Sequence, residues 1–200
     1  MPREVTAFSN TTVKRLRSLR DKKARKEEGL FLAEGLRIIA EARDSGMLPE
    51  IIMFSAEGAR HPLASEIIAA TEAAGGDAIE TTADILSKTS GKDNPQMLVA
   101  AYPQPPTDLF AIDRSSAPLW FVCQALRDPG NIGTILRTGD AVGAGGLILI
   151  DDSAHPYRVK AVRASMGAVF TQQDAKASWQ DFLAWLRSEP SQLVGTSLNT

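Results

Sequence analysis

Residues 123–150 read CQALRDPGNIGTILRTGDAVGAGGLILI, and this stretch decides the fold class. An apolar strand runs into a short polar turn, a helix follows, and a second apolar strand completes the unit. Glycines cluster at both bends, which raises the question of a nucleotide-binding loop. The stretch contains neither the G-x-G-x-x-G of dinucleotide-binding folds nor the G-x-x-x-x-G-K-[ST] of a P-loop. It is therefore interpreted as a strand–helix–strand unit of an α/β sheet that lacks a phosphate-binding fingerprint.

The rest of the second half continues this alternation of strands and helices. Strands that are almost continuously apolar and that alternate with helices predict a parallel sheet covered on both faces. The predicted strands are Leu119–Cys123, Leu147–Ile150, Ala168–Thr171 and Leu193–Leu198, and the predicted helices are Asn131–Val142, Tyr157–Met166 and Ser178–Arg187. The chain therefore ends on a predicted strand, and its second domain looks unfinished at about 95 residues.

The first half also alternates, which predicts a second α/β layer structure. Its predicted strands are 30–35, Ile51–Phe54, Ala78–Thr81 and Gln96–Ala101, and its predicted helices are 10–28, Leu36–Ser45 and Leu63–Ala74, with a helical turn at Thr82–Leu86. Three prolines follow in YPQPPTD (102–108), and proline interrupts both strands and helices. We therefore predict a first domain over 1–103, a Pro-rich linker over 104–109 and a second domain over 110–200.

The turn and helix inside the opening stretch carry the first candidate site residues. The loop 127–131 follows a strand of an open α/β sheet, and such folds bind ligands at the carboxyl ends of their strands. Asn131 is expected to cap the helix that follows. At 100° per residue, Ile132, Ile135, Leu136 and Gly139 share the face toward the sheet, and Arg137 points to the opposite side. An arginine there is an ordinary surface residue unless a second subunit or a polyanion covers that face.

The charge of the chain is unevenly distributed. Residues 1–30 hold nine Lys or Arg against four Asp or Glu, although the whole chain has a formal net charge of −2. This basic arm on an acidic body suggests an anionic partner, and a solvated helix face is the competing interpretation. Lys14, Arg17, Arg25 and Lys26 are the candidate contacts to RNA phosphates.

The remaining composition excludes several function classes. The single cysteine, Cys123, excludes a disulfide framework and a multi-cysteine zinc site. His61 and His155 precede prolines in predicted loops and are taken as structural surface residues, so no metal is expected. No apolar stretch approaches the ~20 residues that span a bilayer, and the basic N-terminus is not a secretory signal. We therefore expect a cytoplasmic protein without a membrane partner.

Four blocks of the chain resemble one family. RDPGNIGTILRTGDAVGAGGLIL (127–149) resembles the D-P-x-N-x-G-x-x-x-R-[ST]-x-x-x-x-G signature of the SpoU/TrmH class of RNA ribose 2′-O-methyltransferases, and VKAVRASMGAVF (159–170) resembles their basic-R-x-S-x-G-A segment. NPQMLVAAY (94–102) and VKRLRSLRDKKARKEEGLFLAEGLRII (13–39) are similar to the end and the start of their N-terminal substrate-binding domain. All four blocks occur in family order with family spacing, which makes the resemblance strong although each block alone is moderate.

The resemblance implies a fold and an activity. It implies an L30e-like α/β substrate-binding domain followed by a SPOUT methyltransferase domain, which is α/β and normally knotted. The implied reaction is metal-free methyl transfer from S-adenosylmethionine to a ribose 2′-oxygen of RNA by a homodimer. Asn131 matches the asparagine that shapes the loop beside the methyl donor, and Arg137 matches the arginine assigned to activating the 2′-hydroxyl. Arg163, in the second motif, is taken as a further RNA contact.

The chain departs from the family pattern near its C-terminus. The family builds most of its donor pocket from G-N-E, I-P-M-like and S-L-N-V blocks, and residues 1–200 lack the first two. Ser197-Leu198-Asn199 is interpreted as a chance match because it falls too soon after the second motif. We therefore expect a C-terminally truncated SPOUT domain that binds S-adenosylmethionine weakly and does not turn over, with the donor-binding residues beyond Thr200.

Two functions are open at this point. The first is methylation of RNA, with ribosomal RNA favoured over transfer RNA because the first domain is of ribosomal-protein type. The alternative is a non-catalytic RNA-binding module, which the incomplete donor pocket favours. A small-molecule nucleotide enzyme is a distant third because the glycine fingerprints are absent.

Overall fold

The computed structural model of the protein describes residues 2–94 and 96–196, and these build two β-sheets flanked by helices. The first sheet contains β1 Arg3–Val5, β2 Leu30–Glu34, β3 Ile51–Phe54, β4 Asp77–Thr81 and β5 Leu98–Pro103. Its order is β1-β4-β3-β5-β2, in which β1, β3 and β4 are parallel and β5 is antiparallel to both of its neighbours. The second sheet contains β6 Trp120–Gln124, β7 Gly146–Ile150 and β8 Gln173–Ala177, all parallel in that order.

Helices connect and cover these strands. Those of the first half are α1 Thr11–Ser18, α2 Lys22–Glu28, α3 Leu36–Asp44, α4 Ala56–Ala59, α5 Pro62–Ala73 and α6 Ala83–Ser90, and those of the second half are α7 Pro129–Ala141, α8 Val159–Ser165 and α9 Trp179–Arg187. Short 3-10 turns lie at Leu109–Ala111, Arg114–Ser116 and Ala168–Phe170. The predicted α/β class with an N-terminal domain and a parallel second sheet is confirmed. None of the helices within 2–94 and 96–196 is long and apolar enough to cross a membrane.

Buried strands explain the continuous apolar runs of the first half. Every residue of β2 and β3 is buried. Alternate residues of these strands pack against different helices, so Phe31 and Ile52 lie in a core with α3 and α5. Leu32 and Met53 lie in a second core with α1 and α6. A strand that is buried on both faces does not alternate polar and apolar residues, because neither face meets water.

The predicted helix over 10–28 is wrong, because the structure breaks it into α1 and α2. Asn10 caps α1, since its side chain accepts a hydrogen bond from the Thr12 N–H at 2.9 Å. The break leaves carbonyls without helical partners at Leu19 and Arg20. The buried guanidinium of Arg25 donates to both of them, at 2.9 and 2.7 Å. A side chain from α2 therefore stabilises the end of α1.

Two further predictions of strands are wrong. Ala168–Thr171 forms a 3-10 turn, and the strand β8 begins later, at Gln173. The turn follows Gly167, whose φ of +108° redirects the chain, and it buries Val169 and Phe170 in the core of the first domain. Residues 193–196 are not a strand, and the remainder of the predicted strand 193–198, with Ser197-Leu198-Asn199, lies outside the described residues.

An aromatic cluster joins the two sheets. Phe31 and Tyr102 come from the first sheet, and Tyr157 and Phe170 come from the second half. The ring centroids of Phe31 and Tyr157 are 4.7 Å apart, as are those of Tyr102 and Phe170. The Tyr157 hydroxyl also donates to buried Asp174 on β8. This packing fixes the second sheet against the first, so residues from both halves can line one cleft.

Candidate functional site

The carboxyl edge of the second sheet is formed by two loops that are tied together. One loop follows β6 and the other follows β7. Buried Ser153 accepts a hydrogen bond from the Leu126 N–H at 3.1 Å and donates to the Ile150 carbonyl at 2.8 Å. The Ala154 N–H in turn donates to the Leu126 carbonyl at 2.8 Å. The edge is therefore a rigid platform, as a site for binding or catalysis requires.

Each of these loops starts with a strained residue. Ala125 follows β6 with a φ of +51°, and Asp151 follows β7 with a φ of +57°. Such a conformation costs about 1–3 kcal/mol in a residue other than glycine and persists only where its surroundings impose it. Here Asp151 accepts hydrogen bonds from the Gln124 side chain at 2.9 Å and from the Trp179 N–H at 3.2 Å. Ala125 carried no turn signal in the sequence, whereas Asp151 begins the polar run 151–153 and aspartate tolerates this conformation.

Asp128, rather than Asn131, caps the helix α7. The Asp128 carboxylate accepts a hydrogen bond from the Asn131 N–H at 3.0 Å, so Asn131 lies in the first helical turn. Lys160 of α8 pairs with the same carboxylate at 2.7 Å. The hydrogen bonds that Lys160 and the Asn131 N–H donate to this carboxylate stabilise its charged form and lower the pKa of Asp128. The prediction that Asn131 is the cap is wrong, and its side chain makes no hydrogen bond to another described residue.

The inner face of α7 packs very closely on α8. Ile132, Leu136 and Gly139 are buried and Ile135 is half-buried, as predicted. Gly133 is also buried, and a Cβ placed on it would collide with the Ala161 carbonyl oxygen and lie 2.7 Å from Ala164 Cβ. The glycine of the N-x-G pattern therefore allows the backbones of two helices to touch.

Asn131 and Arg137 lie on the solvent side of α7. Both are exposed, and neither side chain has a hydrogen-bond or ion-pair partner among residues 2–94 and 96–196. Six residues separate them, which is about 9 Å along a helix axis. The described chain thus presents the two groups on one rigid helix without bringing them into contact with each other.

The predicted RNA contacts fall into two groups. Lys14, Arg17 and Lys26 are exposed, and nothing in the described part of the chain pairs with their side chains. Arg25 is only 3% exposed and holds the α1–α2 turn, so the expectation that it contacts phosphate requires correction. Arg163 donates to Glu34 of β2 at 2.8 Å and therefore serves as an ion pair between the two halves of the chain.

A basic cleft between the two domains was not predicted. It has a volume of about 360 Å³ and lies between the α1–α2 turn and the two loops at the sheet edge. Its cations come from both halves of the sequence: Arg20, Lys22, Arg25, Arg127, Arg158 and Lys176. Because more than 150 residues separate the first from the last, spacing along the chain could not have revealed this cluster.

His155 lines this cleft and differs from the simple surface residue that was expected. It is half-buried, its ring centroid is 5.3 Å from that of Tyr157, and burial together with nearby Arg25, Lys176 and Lys22 lowers its pKa to about 4. The imidazole is therefore neutral at pH 7. Across the described ranges, no group of three or more His, Cys, Asp or Glu side chains is arranged to hold a metal ion.

Two family models match the chain and divide it between them. The MRM3-like substrate binding domain matches residues 10–100, and the SpoU rRNA methylase family matches residues 118–200. The second match includes Asn131, Arg137 and Arg163. The two matches therefore cover both sides of the basic cleft.

Proteins similar to this chain include characterised rRNA methyltransferases. The 23S rRNA (guanosine(2553)-2′-O)-methyltransferase RlmP of Bacillus subtilis is 27% identical over 98% of this chain and 74% of its own length. The crystal structure of an AdoMet-bound rRNA methyltransferase from Sinorhizobium meliloti is 36% identical, with a TM-score of 0.84 over 93% of this chain and 69% of that one. The AdoMet complex of the SpoU methyltransferase AviRb from Streptomyces viridochromogenes is 25% identical, with a TM-score of 0.75.

Proposed function

The chain belongs to the SpoU rRNA methylase family, and on that premise we propose that it transfers a methyl group from S-adenosylmethionine to a ribose 2′-oxygen of ribosomal RNA. One observation assigns a role in this reaction to a particular residue. Arg137 stands exposed and without a partner in the described chain, on a helix whose other face is fixed to the sheet and to α8. Rigid presentation of an unpaired guanidinium is what stabilisation of a developing anion requires.

Arg137 is suited to electrostatic stabilisation and unsuited to act as a base. An arginine side chain keeps its proton in proteins because the guanidinium cation is delocalised and very weakly acidic. In the transfer, the ribose 2′-oxygen bonds to the methyl carbon as the S–CH3 bond breaks, the sulfur leaves as a neutral thioether, and the hydroxyl proton passes to water. Negative charge develops on the 2′-oxygen as that proton leaves. The planar guanidinium can donate two hydrogen bonds to that oxygen at the moment the charge develops. Asn131, six residues earlier on the same helix, is the second polar group available to orient the substrate.

S-adenosylmethionine supplies the methyl group as an electrophile on a positively charged sulfur. The cleft beside the start of α7 does not fit this donor, because its lining is nearly all charged or polar and an adenine ring requires apolar walls. We therefore assign none of the residues that line this cleft to binding the donor.

A homodimer is part of the proposal. A guanidinium that faces water acts weakly at a distance, because the high dielectric of water screens it. A second copy of the chain over the exposed face of α7 would exclude water from Arg137 and strengthen its field. The exposed Val142 at the end of the same helix supports an interface there.

The test is single-turnover methylation of an rRNA transcript by purified protein with radiolabelled S-adenosylmethionine. Arg137→Ala is expected to lose at least about a hundredfold in rate, the scale for one oxyanion-stabilising donor. Arg137→Lys keeps the charge and loses the planar pair of donors, so it should be intermediate. Wild-type rates in both variants would refute the role of Arg137. RNA binding by the wild-type protein without methyl transfer would agree with the expectation from the sequence that residues 1–200 do not turn over, and it would favour the RNA-binding module instead.

A further inference from the structure

The basic cleft contains more positive charge than the described chain neutralises. Six cations line it, against the two carboxylates of Asp21 and Asp152. Arg127 pairs with Asp152 at a distance of 3.7 Å, and both side chains are at least 80% exposed, so this pair is weak.

The other surface cations of the cleft have no partner within residues 2–94 and 96–196. They are Arg20, Lys22, Arg158 and Lys176, and all four are exposed. Some surface arginines elsewhere are paired, as Arg3 is with Asp77, and others, such as Arg37 and Arg60, have no ion-pair partner in the described chain. The cleft differs from the rest of the surface because four cations from both domains, unpaired within the described residues, line one small volume.

Neighbouring groups respond to this field. His155 is held neutral by burial and by Arg25, Lys176 and Lys22. Burial and nearby Arg158 also lower the pKa of Arg25. Burial is the larger cause of both shifts, and the neighbouring cations add to it in the same direction. An anion in the cleft would relieve the repulsion among these cations.

We propose that this cleft binds the phosphodiester backbone of the RNA substrate, next to the start of α7. The proposal rests on the proposed function, because it concerns the same substrate. On one side of the cleft, the cations come from the α1–α2 turn and from α2. On the other side, Arg127 and Arg158 come from the loops after β6 and β7, and Lys176 comes from β8. Phosphates held here would place the adjoining nucleotides beside the helix that carries Asn131 and Arg137.

The shape of the basic surface favours a polyanion over a single small anion. Arg20 lines this cleft and also two shallower grooves on the first domain, one with Lys14 and Arg17 and the other with Lys88 and Lys92. The positive charges therefore form a continuous strip along the surface and are not confined to the cleft. Lys92 is half-buried and pairs with Glu34 at 3.6 Å, but the other cations of the two grooves are exposed on flexible side chains. Exposed, flexible cations suit sequence-independent binding of successive phosphates.

A charge-matched pair of variants tests the proposal. The cleft variant combines Lys22→Gln, Arg158→Gln and Lys176→Gln, and the control combines Arg37→Gln, Arg60→Gln and Arg187→Gln. The control residues are also exposed, have no ion-pair partner in the described chain, and do not line the cleft. Arg20 is kept because it packs over Gly91. The probe is a fluorescein-labelled rRNA stem–loop, and its affinity is measured by anisotropy from 50 to 300 mM NaCl.

The cleft variant should lower the slope of log affinity against log salt by about 2 to 3, since each lost phosphate contact contributes ~0.7–0.9. The slope of the control should stay within about 0.9 of the wild-type slope, which is the contribution of one phosphate contact. Equal slopes for the two variants would overturn the proposal. Methylation is measured in parallel, so that a cleft-dependent slope without methyl transfer would refute the proposed function and leave the binding site standing.

A measurement on the wild-type protein makes the test independent of folding of the variants. The imidazole of His155 is titrated by NMR with and without the stem–loop. Phosphates among the cleft cations should raise its pKa from about 4 by at least about one unit. A His155 titration that is unchanged by saturating RNA would show that the RNA does not occupy the cleft.

Discussion

Gly133→Ala tests whether the contact between α7 and α8 positions the exposed residues of α7. A Cβ at this position would collide with the Ala161 carbonyl oxygen, and it would lie 2.7 Å from Ala164 Cβ and 2.8 Å from the Ser165 nitrogen. An ordinary contact begins near 3.4 Å, so the helices must separate by at least about 0.7 Å. Because most of the obstacle is backbone, no rotamer change can relieve it.

Two opposing terms set the size of the effect. Overpacking of this kind costs typically about 1–3 kcal/mol, and a backbone obstacle places Gly133→Ala near the upper end. Alanine is favoured over glycine inside a helix by about 1 kcal/mol. The net loss of unfolding free energy should therefore be about 2 kcal/mol, which lowers the urea midpoint by about 1 M for a slope near 2 kcal/mol/M.

Gly139→Ala is the matched control in the same helix. A Cβ there would lie 3.1 Å from Gln172 Oε1, the end of a flexible side chain that can move away. Its urea midpoint should stay the same or rise, because the helix-propensity term then dominates. Single-turnover methylation should fall by about ten- to a hundredfold in Gly133→Ala only, since a shift approaching 1 Å displaces the groups on α7. Equal midpoints and equal rates for the two variants would refute the packing argument.

Two further predictions concern buried charges. Glu34→Gln should cost about 1–2 kcal/mol, because Glu34 is 4% exposed at its side chain and accepts from Arg163 at 2.8 Å while that arginine remains 41% exposed. The loss should persist in 1 M NaCl, whereas disappearance of the loss with salt would identify an ordinary surface pair. Burial raises the pKa of Asp174 to about 6 from 3.8, so between pH 4 and 6 the folded chain binds more protons at Asp174 than the unfolded chain does. The contribution of Asp174 to the unfolding free energy therefore falls as pH rises. The pKa of His155 is lowered to about 4 from 6.5, so its contribution to the unfolding free energy has the opposite sign and increases as pH rises over the same range. Asp174→Asn should therefore make unfolding free energy rise more steeply from pH 4 to 6, and His155→Gln should flatten or invert that rise. Wild-type pH slopes in both variants, measured by urea denaturation, would contradict these assignments.

The sequence predicts the inner face of α7 correctly because local periodicity determines it. Ile132 and Leu136 follow helical spacing, and burial of apolar side chains needs no knowledge of the partner. The cap was misassigned because Asp128 and Asn131 are both good capping residues three positions apart. Pro129 was the signal that separates them, because proline favours the first position of a helix, and the structure begins the helix there, one residue after Asp128.

Ala168–Thr171 was misread for a different physical reason. A short apolar run with a β-branched residue is compatible with a strand and with a turn that fills a core. Phe170 packs against Tyr102 of the other sheet, so its apolar character serves the joint between domains. Sequence periodicity cannot distinguish burial in a sheet from burial between two domains, because both remove the same side chains from water.

The arginines show where sequence reasoning reaches its limit at the site. Arg17 and Arg25 lie eight residues apart in the same basic segment, and nothing in their spacing separates them. In the fold, Arg17 is exposed without a partner in the described chain, whereas Arg25 is buried and donates to two carbonyls. A guanidinium already committed to backbone acceptors has little left to offer a phosphate, and moving it would expose the end of α1. The useful criterion for an RNA contact is therefore an unsatisfied cation. It removes Arg25 from the basic segment and keeps Arg17, and it adds Arg158 and Lys176, which no feature of the sequence had linked to that segment.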